Sequence, residues 1–408
     1  MFRDLNRVDD FEGIRRVWMD SGWLDDTASN TEGLRAFLEG TVGTVHEEAG
    51  VIDMVATSRD ALYRYEDQEL PVNMVSSINV SRDARGLGYG GAGAARVVAS
   101  GAERGAALAM LGMFEQGFYD RLGFGSGPRH ASFTVDPAAL RVPRLTRRPV
   151  RLTIEDAERI HASRVARRRT HGAPNFPGDV GATRSEILWS ENGFGMGFVD
   201  DRGVLTHHLW STAKGEHGPY HIAWLAYQSA EQLLELLGII ASWRDQVHGV
   251  RLMELPGVQL EDLVKSPHAH LRQVKGEFAA NPRSIPWWQA RICDLPACIS
   301  AVSLQGEPVR FDLTLRDPIA TYLPAETPWR GVSPNWTVTL GRQSSAENGH
   351  DGSLPVMTAS VGAFTRLWLG VQPASGLAYT DELIAPPALL KTLDRRFRPP
   401  TPVVDWDV

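Results

Sequence analysis

Lysine is nearly absent. Of 42 basic residues in the 408-residue chain, only Lys214, Lys265, Lys275 and Lys391 are lysine, so the first 213 residues hold none. A Walker A loop needs Gly-Lys-Ser/Thr, and no lysine here has those neighbours. Phosphate would have to be held by backbone amides and arginine, and a lysine Schiff base in the first third is excluded. Cysteine is almost as scarce. Cys293 and Cys298 form neither a CxxC motif nor a disulfide framework. We expect two packing thiols in a reducing compartment. No apolar run reaches the roughly 18 residues of a membrane span. The start, Met1-Phe2-Arg3-Asp4, lacks the basic and then apolar layout of a signal peptide. The expectation is a soluble cytoplasmic protein with no membrane partner. There is also no basic half: the first 150 residues carry 17 basic and 21 acidic side chains, within totals of 42 and 49. A nucleic acid partner is not expected.

Apolar residues make up 43% of the chain, enough for sizeable cores. At roughly 150 residues per domain, the length predicts two to three domains. A basic, proline-bearing stretch at 141–149 reads as a linker, and a second break falls at 281–286. Together they divide the chain into 1–145, 146–280 and 281–408. In the first part, runs at 51–56 and 71–80 read as strands, the latter through Val72, Val75, Ile78 and Val80. Residues 89–104 read as a helix, and the small apolar run 106–113 as a buried strand. That is α/β material. The middle part is also α/β, with strands predicted at 220–227 and 251–255 around an amphipathic helix at 229–246. It carries no glycine loop. The last part is α+β, with alternating strands at 309–315 and 336–340 and helices at 361–370 and 387–397.

The most informative stretch is Ile78-Asn79-Val80-Ser81-Arg82-Asp83-Ala84-Arg85-Gly86-Leu87-Gly88-Tyr89-Gly90-Gly91. A strand ends, and a glycine-packed turn opens a helix. Free N–H groups and the dipole at a helix start make an anion site. Glycines let the backbone come close to phosphates. Gly90, Gly91 and Gly93 each cost the helix up to about 1 kcal/mol against alanine, which suggests that close approach matters there. Gly86, Gly88 and Gly91 satisfy GxGxxG, the dinucleotide fingerprint, which is weak alone. In that fold the first glycine follows the strand at once and the unit opens the domain. Here five residues intervene and some 70 precede the strand. A structural glycine turn is the bland reading. The other pattern, Arg-x-x-Gly-x-Gly, is met by Arg85, Gly88 and Gly90. It resembles the pyrophosphate loop of the GNAT acyl-CoA N-acyltransferases and fits the spacer better.

Downstream, Glu115-x-x-Phe118-Tyr119-x-Arg121-Leu122-Gly123-Phe124-Gly125 resembles the tyrosine-bearing helix and turn that follow the next GNAT strand. A phenol with a reference pKa of ~10 can protonate a departing thiolate; taken alone, Tyr119 reads equally as a core tyrosine. The whole chain is similar to the Eis (enhanced intracellular survival) acetyltransferases. Trp287 with Arg291-Ile292-Cys293-Asp294-Leu295-Pro296-Ala297, Leu367-Trp368-Leu369-Gly370, Leu393-Asp394-Arg395-Arg396-Phe397 and the ending Trp406-Asp407-Val408 all carry the likeness. The middle part matches only in size and α/β pattern. The resemblance implies tandem GNAT domains, the second degenerate, followed by a sterol-carrier-protein-like C-terminal domain. It also implies a homo-oligomer, a hexamer.

The implied activity is direct transfer of acetyl from acetyl-CoA, as co-substrate and without a metal, to a small-molecule amine. By the same resemblance, the backbone of Ile78, Asn79 and Val80 pairs with pantetheine. Arg85, Gly86, Leu87, Gly88, Tyr89, Gly90 and Gly91 hold the pyrophosphate, and Phe114 and Glu115 border the thioester end. Tyr119 is the general acid, and the carboxylate of Val408 is the general base. Relatives usually end in an aromatic, so valine is a departure. For the acceptor, Trp18, Trp23, Asp25, Asp26 and Asp407 offer aromatic faces and carboxylates to a cation. The first four read equally well as a packed helix with a solvated acidic end. Aminoglycoside, polyamine and lysine amines all remain open. His207-His208 and His268-x-His270 read as ordinary histidines, and Arg167-Arg168-Arg169 as a solvated face or subunit contact. The alternative from another class is a non-enzymatic carrier of an apolar ligand in the last domain, which has no use for the glycine loop.

Overall fold

The computed structural model describes residues 1–272, 275–280 and 282–406. In chain order, its first part contains β1 (Phe2–Asp4), α1 (Phe11–Ser21), α2 (Ala28–Glu39), β2 (Val42–Glu48), β3 (Val51–Tyr65), β4 (Gln68–Val80), α3 (Tyr89–Glu103), β5 (Leu108–Gly112), α4 (Gln116–Asp120), β6 (Gly125–Ser126) and β7 (His130–Val135). The middle part contains β8 (Val150–Leu152), α5 (Ala157–Val165), β9 (Pro174–Asn175), α6 (Val180–Trp189), β10 (Gly193–Val199), β11 (Leu205–Thr212), β12 (Tyr220–Ala226), α7 (Ala230–Ser242) and β13 (Val250–Met253). The last contributes β14 (Arg283–Ile285), β15 (Trp288–Ile292), β16 (Val309–Arg316), β17 (Asn335–Leu340), β18 (Ser345–Asn348), β19 (Val356–Ser360) and β20 (Leu383–Ile384), with helices at Val361–Trp368 and Pro387–Arg396 among others.

These strands form three sheets. The first runs β1-β2-β3-β4-β5-β15-β6, with β9 added beside β3. The second runs β8-β10-β11-β12-β13-β7-β14. The two orders correspond strand for strand. In each, the central pair is parallel, β4 with β5 and β12 with β13, and its neighbours are antiparallel. The helices repeat too: α1 and α2 fall between the first two strands of one sheet, α5 and α6 between those of the other. A longer helix, α3 or α7, follows each fourth strand. The third sheet, β18-β17-β16-β19-β20, follows a different order.

Sheet membership crosses the breaks seen in the sequence. β7 precedes residue 145 yet pairs in the second sheet, and β15 follows residue 281 yet pairs with β5 in the first. Within the break at 281–286, Arg283–Ile285 is a strand on β7. Trp288, Ala290 and Ile292 are buried in one continuous core with the third sheet, so the exchanged strand binds first and last parts together. The predicted α3, α7 and β16 agree with the structure to within a few residues. Ser229 caps α7, its hydroxyl accepting from the Gln232 amide. Both cysteines are buried free thiols, and burial pushes Cys293 up to about 11. No described helix is long and apolar enough to cross a membrane.

Candidate active site

β4 and β5 pair only at Val72↔Leu108, Asn73↔Ala109 and Met74↔Met110. Beyond them the strands part, and residues 75–80 of β4 have no strand partner on that side among the described residues. On its other side β4 bulges against β3, where the register shifts between Val55 and Thr57. Ser77 sits in that bulge at a φ of 54°, uncommon for a residue with a Cβ. Beyond the bulge Asn79 and Val80 pair again with Val55 and Met54 of β3, so the end of β4 stays on that ladder while its β5 side is open. Asn79 donates from Nδ2 to Ser21 Oγ at 2.6 Å, anchoring that end on α1.

The glycine turn follows. Gly86 and Gly88 have φ of 86° and 85°, conformations that side chains rarely adopt. Gly88 is the N-cap of α3 and offers no side-chain cap. Among the described residues, the first amides of α3 therefore have neither an intrahelical nor a side-chain partner. The helix start lies close to the end of β4 and to α4, since a methyl at Gly90 would stand 3.4 Å from Val80 and 3.5 Å from the Phe118 ring. Arg85 is exposed beside them. Gly93 serves packing instead: a Cβ there would run into Met54 on the sheet. Its glycine is explained by the helix–sheet contact and not by phosphate approach.

Tyr119 lies on α4, after β5. It is buried, with the rings of Phe114, Phe118 and Phe124 edge-on at 5.7, 4.9 and 6.0 Å. Burial raises its hydroxyl above the ordinary value, so it carries a proton across the working pH range. Among the described residues, none hydrogen-bonds to that hydroxyl. Phe118 touches both Tyr119 and the start of α3, which links the phenol to the glycine turn. The Glu115 carboxylate caps α4, accepting from the Gly117 and Phe118 amides at 3.1 and 2.6 Å. Phe114 is 67% exposed at the edge of the site.

On the α2 side of β4 lies a cavity of about 200 Å³. Met74 and Ser76 of β4, Phe37 of α2, Glu186 and Trp189 of α6, and Trp406 of the tail wall it. The tail is firmly docked. Val404 and Trp406 are buried. Trp406 Nε1 donates to Glu186 Oε1 at 2.8 Å, and its ring lies 3.8 Å from the Arg164 guanidinium. Asp405 takes both forks of Arg167 at 2.5 and 2.8 Å. Arg167 is thus no solvated charge: it lies past the end of α5, buried, and holds the tail carboxylate. His208 is likewise a core residue, bonded to Ser163 and Trp224.

The structure brings Ile78, Asn79, Val80, Arg85, the glycine turn, Phe114 and Tyr119 to one end of the splay. Trp18 stands behind the cavity wall, 5.3 Å from Phe37 and 5.8 Å from Trp189 between ring centres. Trp23 packs on Trp18 at the surface. Asp25 and Asp26 are exposed, and Asp26 pairs with Arg15 at 3.0 Å; neither lines the cavity. Asp407 and Val408 lie outside the described residues. Sequence reasoning missed Ser77, Glu186 and Trp189. No local pattern marks Glu186 or Trp189, whereas the bulge at Ser77 shows only once β3 and β4 are paired.

No family model and no curated protein sequence matches this chain. Solved structures do. A probable N-acyltransferase of unknown function from Enterococcus faecalis matches with a TM-score of 0.80 at 18% identity, over 100% of this chain and 99% of that one. Eis1 from Mycobacterium abscessus matches with a TM-score of 0.75 at 17% identity, over 100% of both chains. The chain has the Eis-type GNAT fold. A GCN5-related N-acetyltransferase from Kribbella flavida shares it, with a TM-score of 0.73 at 19% identity over 100% of this chain and 98% of that one. At these identities the likeness is one of fold. The splayed parallel pair belongs to the first sheet, and the glycine turn and Tyr119 lie on the segments that follow its strands β4 and β5.

Proposed function

We propose that this chain is an acetyl-CoA-dependent amine N-acetyltransferase of the Eis type. The observation that carries the reading is the uncapped, glycine-opened start of α3 at the mouth of the splay between β4 and β5. Pantetheine would extend the sheet along residues 78–80, and the pyrophosphate would meet the amides of residues 86–91 with Arg85 beside them. The thioester then falls near the end of β5, where Phe114 and Tyr119 stand. The amine would enter by the cavity between β4, α2, α6 and the tail.

Transfer is direct. The amine nitrogen attacks the thioester carbonyl carbon, the C–S bond breaks, and the sulfur leaves as thiolate. Tyr119 protonates it, giving CoA thiol and an N-acetyl amine. An alkylammonium near pKa 10 must first lose a proton. The proposed base is the carboxylate of Val408; its support is the anchoring of Trp406 in the cavity wall, two residues before it. Asp407 is carried as an acceptor contact on the same ground. A carboxylate can do this work where burial raises its pKa or water relays the proton. Trp18, Trp23, Asp25 and Asp26 would act on the acceptor only from outside the cavity, through its aromatic wall and mouth. The third sheet and its helices are proposed as the sterol-carrier-protein-like part that delivers the tail, and the assembly as a homohexamer. Incubation with acetyl-CoA and a panel of amines, followed by thiol release, tests the reading. Acceptor-dependent release supports it; no release with any amine class opposes it.

A further inference from the structure

The strand-for-strand correspondence of the first two sheets directs attention to β12 and β13, the counterparts of β4 and β5. They pair only at Tyr220↔Val250 and His221↔Arg251, and then part. β12 also bulges against β11 at the matching place, where the register shifts between Trp210 and Ser211. The second sheet therefore has a splay of its own. It holds a cavity of about 350 Å³. Ile222, Trp224, Leu252, Val404 and Trp406 form its buried apolar part. Ala223, Arg168 and Arg283 line it at exposed positions.

A nucleotide does not suit this splay. The connection from β12 to α7 has no glycine, Ser229 fills the cap, and Glu231 stands in the first turn. A filled cap and a negative charge both oppose phosphate at a helix start. An open splay without a phosphate cradle suits a simpler chain. The charge on the lining sets its end group. Asp405 is already taken by Arg167, an arginine that does not line the cavity. That leaves Arg168 and Arg283 against Glu254 among the described lining residues, a positive excess.

We propose that the splay between β12 and β13 binds an elongated apolar ligand with one anionic end, a medium-chain carboxylate in class. Its chain lies against Ile222, Leu252 and Trp406, and its carboxylate turns to Arg168 and Arg283. Trp406 also walls the cavity beside β4, so the ligand packs against a side chain that both cavities share. The site itself does not depend on the acetyltransferase reading.

Calorimetric titration of sodium decanoate into the full-length chain tests this, with Ala223→Trp to fill the opening and Arg283→Glu to reverse the charge. Both positions are exposed, and thermal melts check that each variant folds. Saturable one-to-one binding is expected, weakened about tenfold or more by either change, with decanol bound about tenfold more weakly than decanoate. Absence of binding overturns the proposal. So does binding that Arg283→Glu leaves unchanged, since the ligand then sits elsewhere. Equal affinity for decanol overturns the anionic end. Arg283→Glu alone keeps the test decisive if Ala223→Trp does not fold.

Discussion

Tyr119 is a phenol whose surroundings keep it protonated. Three aromatic rings enclose it, and burial raises its pKa. Tyr119→Phe keeps the ring packing and removes the proton. Turnover should fall about 100-fold while calorimetric affinity for acetyl-CoA stays nearly unchanged. Gly88 makes the opposite case. Its lack of a side chain leaves α3 without a side-chain cap, and its φ of 85° disfavours any residue with a Cβ. Gly88→Val should cost about 1–2 kcal/mol of stability in a denaturant melt and weaken acetyl-CoA by about tenfold or more. His208 reports on the second sheet. Burial, then Arg164, lowers it to about 3 from an ordinary 6.5. The folded chain keeps the ring neutral, while the unfolded chain takes up a proton below pH 6.5. Stability is thus fully present above pH 6.5 and is lost as pH falls towards 3, by up to about 1.4 kcal/mol per unit from this residue. His208→Gln should flatten the fall in denaturant midpoint between pH 6.5 and 5 relative to the unaltered chain.

Among elements, the tail and β15 do the positioning. The tail segment is held by a tryptophan between two arginines, a forked ion pair and the bond to Glu186. Trp406→Ala should remove about 3–5 kcal/mol, seen as a lower melting temperature. It should also depress amine turnover while leaving acetyl-CoA binding in place, because the glycine turn does not touch the tail. β15 braces the other side of the site. Gln289 donates to Asp120 at the end of α4 at 2.7 Å, and Arg291 donates to the Leu122 carbonyl. The glycine turn was legible in the sequence because its chemistry is local: Gly86 and Gly88 must take positive φ, and their spacing from the strand is visible. Tyr119 was legible only through its distance from that turn. The cavity beside β4 was not, because Phe37, Ser76, Glu186 and Trp406 are far apart in the chain and each looks ordinary in its own segment.

At the scale of the whole molecule, two sheets of one design exchange a strand. The α/β pattern of both parts could be read from hydrophobic periodicity. The exchange could not, since residues 288–292 look like any buried strand and their partner β5 lies some 180 residues earlier. A fragment of residues 1–145 lacks β15 and so leaves β5 with an open edge. It should fail to fold alone, showing no dispersed amide spectrum, whereas the full chain does. The lysine-poor first part is consistent with the same account, because the proposed anion site uses backbone amides and Arg85. Titration of acetyl-CoA into the full-length chain by calorimetry tests the central claim most directly. One-to-one binding, weakened about tenfold or more by Gly88→Val, is the predicted result; no binding, or binding indifferent to Gly88, would contradict it.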